Sequence, residues 1–172
     1  FEAATLRPKL KTSSDVMSSI IKISKEKKNP SLISVQNRKD IFKKEFQRLN
    51  IPQHMAKLIN YALVDILKRY KNTLVFGEDV AQKGGVYNVT TELFNIYGPR
   101  RVFNSPLDET SIIGFGIGFA HNGFIPILEI QFLAYLHNAE DQLRGEAATL
   151  AFFSDGQFTN PMILRVPGLA YQ

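Results

Sequence analysis

Four short apolar runs punctuate the chain: LVF at 74–76, RVF at 101–103, IPILEI at 125–130 and PMILRV at 161–166. Each is shorter than a stable helix and carries few polar positions, which is the pattern of a strand buried on both faces. Helical stretches lie between them. Residues 88–97 (NVTTELFNIY) run into Gly98-Pro99, and the apolar residues 109–122 run to Gly123. Residues 136–152 place Asp141, Arg144 and Glu146 at polar positions. Strands separated by helices predict an α/β fold, a parallel sheet with helices on both faces. In such sheets ligands bind beyond the carboxyl ends of the strands. Glu78, Asp108, Glu109 and the segment after Glu129 all fall at those ends.

Ahead of the first strand, Pro52 is predicted to open a helix. Its stripe of Met55, Leu58, Ile59, Ala62, Leu63, Ile66, Leu67 and Tyr70 recurs at three- and four-residue steps and reads as core packing. Residues 37–49 predict a shorter amphipathic helix, with Ile41, Phe42, Glu45, Phe46 and Leu49 at helical spacing. Lys25, Lys27 and Lys28 precede Asn29-Pro30, a predicted break. The chain thus divides into a basic linker or extension with short helices, residues 1–50, and an α/β body, residues 51–172. The first part carries twelve Lys or Arg against five acids, the second nine against eleven. The net charge of +5 therefore belongs to the leader. It lacks an aromatic-interleaved or recognition-helix pattern, so a solvated connector is the preferred reading over nucleic-acid binding. Cysteine is absent, which excludes disulfides and thiolate metal sites and fits a cytosolic protein. No apolar run approaches the roughly 20 residues of a membrane span. With no starting Met and no secretory pattern, the residues are expected to belong to a longer chain.

Among residues that could carry chemistry, Glu109 stands at the mouth of an apolar helix. A carboxylate there can complement the helix dipole. If burial raises its pKa, it can instead protonate a ring nitrogen. Asp108 is the better fit to plain capping. Gly114, Gly116 and Gly118 sit inside that helix, where each glycine costs about 1 kcal/mol relative to alanine. They predict close approach of another backbone, and their spacing is not that of a dinucleotide fingerprint. SDGQ at 154–157 reads as a turn rather than a phosphate cradle. His54, His121 and His137 are not at metal spacing, and His121 is expected to cap or to face solvent.

Four motifs in order, GEDVAQKGGVY (77–87), YGPRRVFNSPLDE (97–109), GFGIGFAHNG (114–123) and EIQFLAYLHNAEDQL (129–143), resemble the beta chain of the thiamine-diphosphate-dependent first component of 2-oxoacid dehydrogenase complexes. The resemblance runs from about Pro52 to the last residue. It implies the transketolase-like pyrimidine-binding α/β domain, truncated at its C-terminal end, since the chain stops at VPGLAYQ before the segment where the family carries an active-site histidine. It implies that Glu109 hydrogen-bonds the cofactor's aminopyrimidine nitrogen and favours the imino tautomer, which prepares the cofactor to attack a 2-oxo acid. Leu107 matches an apolar residue supporting the bent cofactor, and Tyr135 the aromatic that stacks on the pyrimidine. Gln131 matches a residue facing the reacting centre in branched-chain members. Glu78 matches an acid in the polar channel between paired active sites, and Met162 a position of backbone potassium binding in some members.

The family's Gly-Asp-Gly…Asn motif for diphosphate and Mg2+ is absent and belongs to the alpha half. The resemblance therefore implies half of a thiamine diphosphate site, inactive alone, in an enzyme that decarboxylates pyruvate or a branched-chain 2-oxo acid. The acyl group would pass to the lipoyl group of an acyltransferase. The expected partners are an alpha (diphosphate-binding) domain or chain and that lipoyl acyltransferase, in a dimer or heterotetramer, without nucleic acid or membrane. The leader is either a connector after a fused alpha domain or an extension of a separate beta chain. The helix at 109–122 is apolar around most of its circumference, so an isolated chain is expected to self-associate. The expected location is the bacterial cytoplasm, or the mitochondrial matrix or a plastid in a eukaryote. The rival functions are a transketolase-type thiamine enzyme and a non-catalytic interaction module keeping the fold. GEDVAQKGGVY argues against the first, and the presence of Glu109 and Tyr135 against the second.

Overall fold

The computed structural model of the chain describes residues 2–20 and 30–168. The lysines at 25, 27 and 28 and the break predicted at Asn29 lie outside the described residues. The leader carries two short helices, α1 (Glu2–Thr5) and α2 (Ser13–Ile20). Helix α3 (Val35–Phe42) follows, capped by the Ser34 hydroxyl, which accepts from the Asn37 N–H at 3.1 Å. The single helix predicted over 37–49 is in fact two pieces. Lys43 takes φ 48°, and the chain continues as a 3-10 helix, Lys43–Asn50. The apolar set is nonetheless the predicted one: Phe42 is buried, and Ile41, Phe46 and Leu49 pack beside it.

Helix α4 spans Met55–Arg69. Pro52 does not open it. The His54 ring accepts from the Lys57 N–H and is the cap, so Pro52 stays in the approach. The predicted stripe is also only partly core. Leu63 and Leu67 are buried, but Met55, Leu58 and Ala62 face outward, and Tyr61, Val64 and the Asn60 amide take the inner positions. An apolar set wider than one helical face leaves its orientation to be decided by packing.

Four parallel strands, β1 (Thr73–Gly77), β2 (Val102–Asn104), β3 (Ile125–Glu129) and β4 (Ile163–Arg165), form one sheet in the order β2-β1-β3-β4. Val75 registers with Val102 on one side and Ile127 on the other, and Leu128 with Leu164. Because successive side chains alternate, the sheet makes two cores. Val75, Val102 and Ile127 face α4 and α5 (Leu93–Tyr97); Leu74, Phe76 and Leu128 face α6 (Glu109–His121). The alternation of strand and helix, the parallel sheet and α6 agree with the sequence. The helix expected over 88–97 is reduced to α5, because Tyr87, Asn88 and Glu92 hold positive φ. Residues 133–153 wind as a 3-10 stretch (Leu133–Ala139), a π turn (Gln142–Ala147) and α7 (Leu150–Phe153), not as one α-helix. Asp141, Arg144 and Glu146 are exposed as predicted.

The glycines of α6 divide. A Cβ on Gly116 would lie 2.5 Å from Leu128 Cδ1, whereas Gly114 and Gly118 have open space around them. Close approach is thus real at one glycine only, and to a side chain, not a backbone. Phe115, 49% exposed, stands between the two open glycines. The helix is sealed on its inner side and bare on its outer one.

Candidate functional site

The carboxyl edge of the sheet gathers acids. Glu78, one residue past β1, is 3% exposed. Among the described residues no group hydrogen-bonds its carboxylate. Burial pushes its pKa up, and the charges of Glu109 and then Asp79 push it further. Glu129, the last residue of β3, is 2% exposed. Burial raises its pKa as well, against the opposing pull of Arg165 and of the Val86 N–H. Arg165 Nη1 donates to Glu129 Oε2, and Val86 N–H donates to Oε1 at 3.0 Å. Gly77 is required where β1 ends. With φ 152° its added Cβ would fall 2.2 Å from the Glu129 carbonyl oxygen.

The loop between β1 and α5 is strained and tied down. Asp79, Tyr87, Asn88 and Glu92 are all left-handed without being glycine, at a cost on the order of 1 kcal/mol or more each. Several bonds hold them. Gly85 N–H donates to Asp79 O at 2.9 Å and Thr90 N–H to Gly84 O at 2.9 Å. The Thr90 hydroxyl reaches Val80 O at 2.7 Å, and Ala81 N–H reaches Asn104 Oδ1 at 2.9 Å. The buried Asn60 amide donates to Val89 O and Thr91 O at 2.8 and 3.0 Å.

Helix α6 begins beside this loop. Asp108 caps it: its carboxylate accepts from the Ser111 N–H at 3.2 Å and from the Ser111 hydroxyl. That leaves Glu109, the first residue of the helix, for another role. It is half-buried and accepts one bond, from Asn138 Nδ2 at 3.2 Å. Leu107 protrudes, 81% exposed, just before the cap. Tyr135 lies on the 3-10 stretch that packs on α6, 43% exposed, its ring edge-on to Phe132 at 5.7 Å. Gln131 follows β3 and is half-buried.

Glu78 and Glu109 are close enough for the charge of one to act on the other. Met162 lies farther along the sheet, its side chain against the α6-side core and its N–H bonded to Asn160 O at 2.8 Å. His121, at the far end of α6, contacts Asn160 Oδ1 at 3.2 Å and the Phe158 ring. Residues 154–157 form the predicted turn, with Asp155 and Gly156 at positive φ. Among the described residues no group of three or more His, Asp or Glu is placed to hold a metal ion, and no helix is long and apolar enough to cross a membrane.

Two functional features were not read from the sequence. The Glu129–Arg165 pair depends on β3 and β4 lying in register, although an acid and a base each near the end of an apolar run was a usable signal. The Asn60 bridge had none, since an amide inside an amphipathic helix looks like a solvent-facing residue.

The family profile described as the transketolase pyrimidine binding domain matches residues 52–166. Pyruvate dehydrogenase E1 component subunit beta of Staphylococcus epidermidis is 43% identical over 113 residues, covering 66% of this chain and 35% of that protein. The protein of the same name from Bacillus subtilis is 41% identical over the same length. The 2-oxoisovalerate dehydrogenase subunit beta of Pseudomonas aeruginosa is 42% identical, over 32% of its length. The chain spans about a third of the length of these curated relatives.

Proposed function

The chain belongs to the transketolase pyrimidine-binding domain family, and on that premise we propose that it supplies the pyrimidine side of a thiamine diphosphate site in the first component of a 2-oxoacid dehydrogenase. The observation that carries the reading is Glu109, half-buried at the start of α6 and not its cap, beside a buried Glu78 that has no hydrogen-bond partner among the described residues. A carboxylate pair, with a protruding Leu107 just ahead of α6 and an exposed Tyr135 on the stretch packed against that helix, fits a flat, nitrogen-containing ring: acceptors for its edge and apolar surface for its faces. When bound, thiamine diphosphate would supply the carbanion chemistry that decarboxylates a 2-oxo acid.

In this reading Glu109 holds the hydrogen bond at the ring nitrogen and manages the proton there. Asn138 orients its carboxylate. Tyr135 and Leu107 give the ring its apolar contacts, and Gln131 faces the reacting centre. Glu78 adds a second buried acid, and its like-charged neighbour favours its protonated form. The diphosphate and Mg2+ are held by an alpha partner, docked over the bare side of α6 around Phe115. The acyl product goes to a lipoyl acyltransferase. The proposed substrates are pyruvate or a branched-chain 2-oxo acid, in keeping with the names of the relatives. The test is carbon dioxide release from each acid by the chain assembled with its diphosphate-binding partner. Release that requires thiamine diphosphate is expected, and release from neither acid with the cofactor present contradicts the reading. Calorimetry adds a second check. The chain alone with Mg2+ is expected to show no measurable thiamine diphosphate binding, and low-micromolar binding by it alone would oppose the split site.

A further inference from the structure

Residues 30–50 precede the family-matched region, yet they are fastened to it. Their contacts rise in number as those on α4 fall, so the segment runs antiparallel along that helix. Arg69 donates to Pro30 O through Nε and Nη2 at 3.1 and 2.8 Å. Arg38 pairs with Asp65 at 2.8 Å. The Phe42 ring meets the Tyr61 ring edge-on at 5.5 Å. Glu45 accepts from the Tyr61 hydroxyl at 2.7 Å and lies 3.4 Å from Lys57 Nζ.

The residue next to Tyr61 is Asn60, whose amide holds Val89 O and Thr91 O. Those carbonyls belong to the strained loop whose Val86 N–H holds Glu129. The segment's Phe42 and the loop's Val89 belong to one buried cluster, with Tyr61 of α4 in it as well. An open cleft of about 200 Å³ separates Lys43 and Glu45 on one side from Thr91 and Glu92 on the other. The hydrogen-bonded link between the segment and the loop runs through α4, from Glu45 to Tyr61 and from Asn60 to the loop. We propose that residues 30–50 are a strap that fixes α4, and that through α4 the strap makes Asn60 a positioning residue for the loop supporting the acidic edge of the sheet. Left-handed backbone at four non-glycine positions persists only when its surroundings over-determine it, and the strap is one of those surroundings. This role stands whichever ligand the site takes.

The test is amide hydrogen exchange on the full chain, comparing wild type with Phe42→Ala and with Glu45→Gln, the second leaving the ring packing intact. In Phe42→Ala, exchange over residues 84–91 is expected to rise roughly tenfold, as local opening becomes easier. Glu45→Gln is expected to give a smaller rise in the same segment. Residues 109–121 should keep wild-type rates in both. Acceleration confined to residues 35–50 would overturn the proposal. So would Glu45→Gln raising exchange equally in 84–91 and 109–121, because the strap would then contribute only global stability.

Discussion

On the α4 face of the sheet, Leu67, Leu93 and Val102 are fully buried, and Phe42 closes the rim from outside the family-matched region. On the α6 face, Ile112, Ile113 and Leu128 are just as fully buried, but the helix covering them has a bare back made of Gly114, Phe115 and Gly118. Both faces are sealed against the sheet, so the exposed apolar surface of α6 is not a failure of the core. The difference lies in the outer layer. Over α4 that layer comes from the chain itself, fastened by Arg38–Asp65 and Glu45–Tyr61. Over α6 the 3-10 stretch and the π turn cover only part of the helix, and Gly114, Phe115 and Gly118 stay exposed. The proposed cofactor residues lie at the N-terminal end of this helix (Leu107, Glu109) or on the stretch packed against it (Tyr135). A completed face holds the fold, and an uncompleted one is where function and partners gather.

Leu67→Ala on the closed face is expected to cost about 2–5 kcal/mol, read as a shift in denaturant midpoint, because the removed side chain leaves a cavity. A cost below about 1 kcal/mol would mean that this face is looser than its burial implies. Within α6 the contrast should appear as a change of sign. Gly116→Ala drives a methyl group against Leu128 and is expected to destabilise by about 1–3 kcal/mol. Gly118→Ala meets open space and is expected to stabilise by up to about 1 kcal/mol through helix propensity. Equal effects at the two glycines would remove the inner–outer distinction.

Glu78→Gln probes the acidic edge. The folded-state pKa of Glu78 is raised, so the folded chain binds this proton more tightly than the unfolded chain, and stability falls as pH rises through the window between the two values. The variant should therefore melt above wild type near pH 7, and the gap should close toward about pH 4, where both side chains are neutral. A gap that persists at acid pH would remove the charge-burial explanation. The smallest effect is expected at Phe115→Ala, within about 0.5 kcal/mol in the chain alone. A loss comparable to that at Leu67 would show that the α6 face is covered in solution.

The strands and α6 were legible because their signals are local: apolar runs of strand length, and a cap, Asp108, directly ahead of an apolar helix. The place of Glu109 at the start of that helix, beside the capping Asp108, was legible for the same reason. The loop at 79–92 was not. Tyr87 and Glu92 adopt conformations that propensity disfavours, and the loop is held by Asn60 from elsewhere in the fold and by Thr90 within it. The start of α4 was misplaced because the cap is a histidine, outside the usual set of capping residues. The outward turn of Met55 and Leu58 depends on which side of α4 meets the sheet, and periodicity alone does not choose between two apolar faces.

The account rests most heavily on Glu109 acting on a ring nitrogen and not on the helix dipole. Its direct measurement is decarboxylation turnover of Glu109→Gln in the assembled enzyme, alongside thermal unfolding of the same variant. Glu109 makes one side-chain hydrogen bond among the described residues, so the fold should be kept. Turnover should fall at least about a hundredfold, as when a positioned proton donor is lost. Turnover within about threefold of wild type, far short of what loss of a general acid costs, would contradict the account.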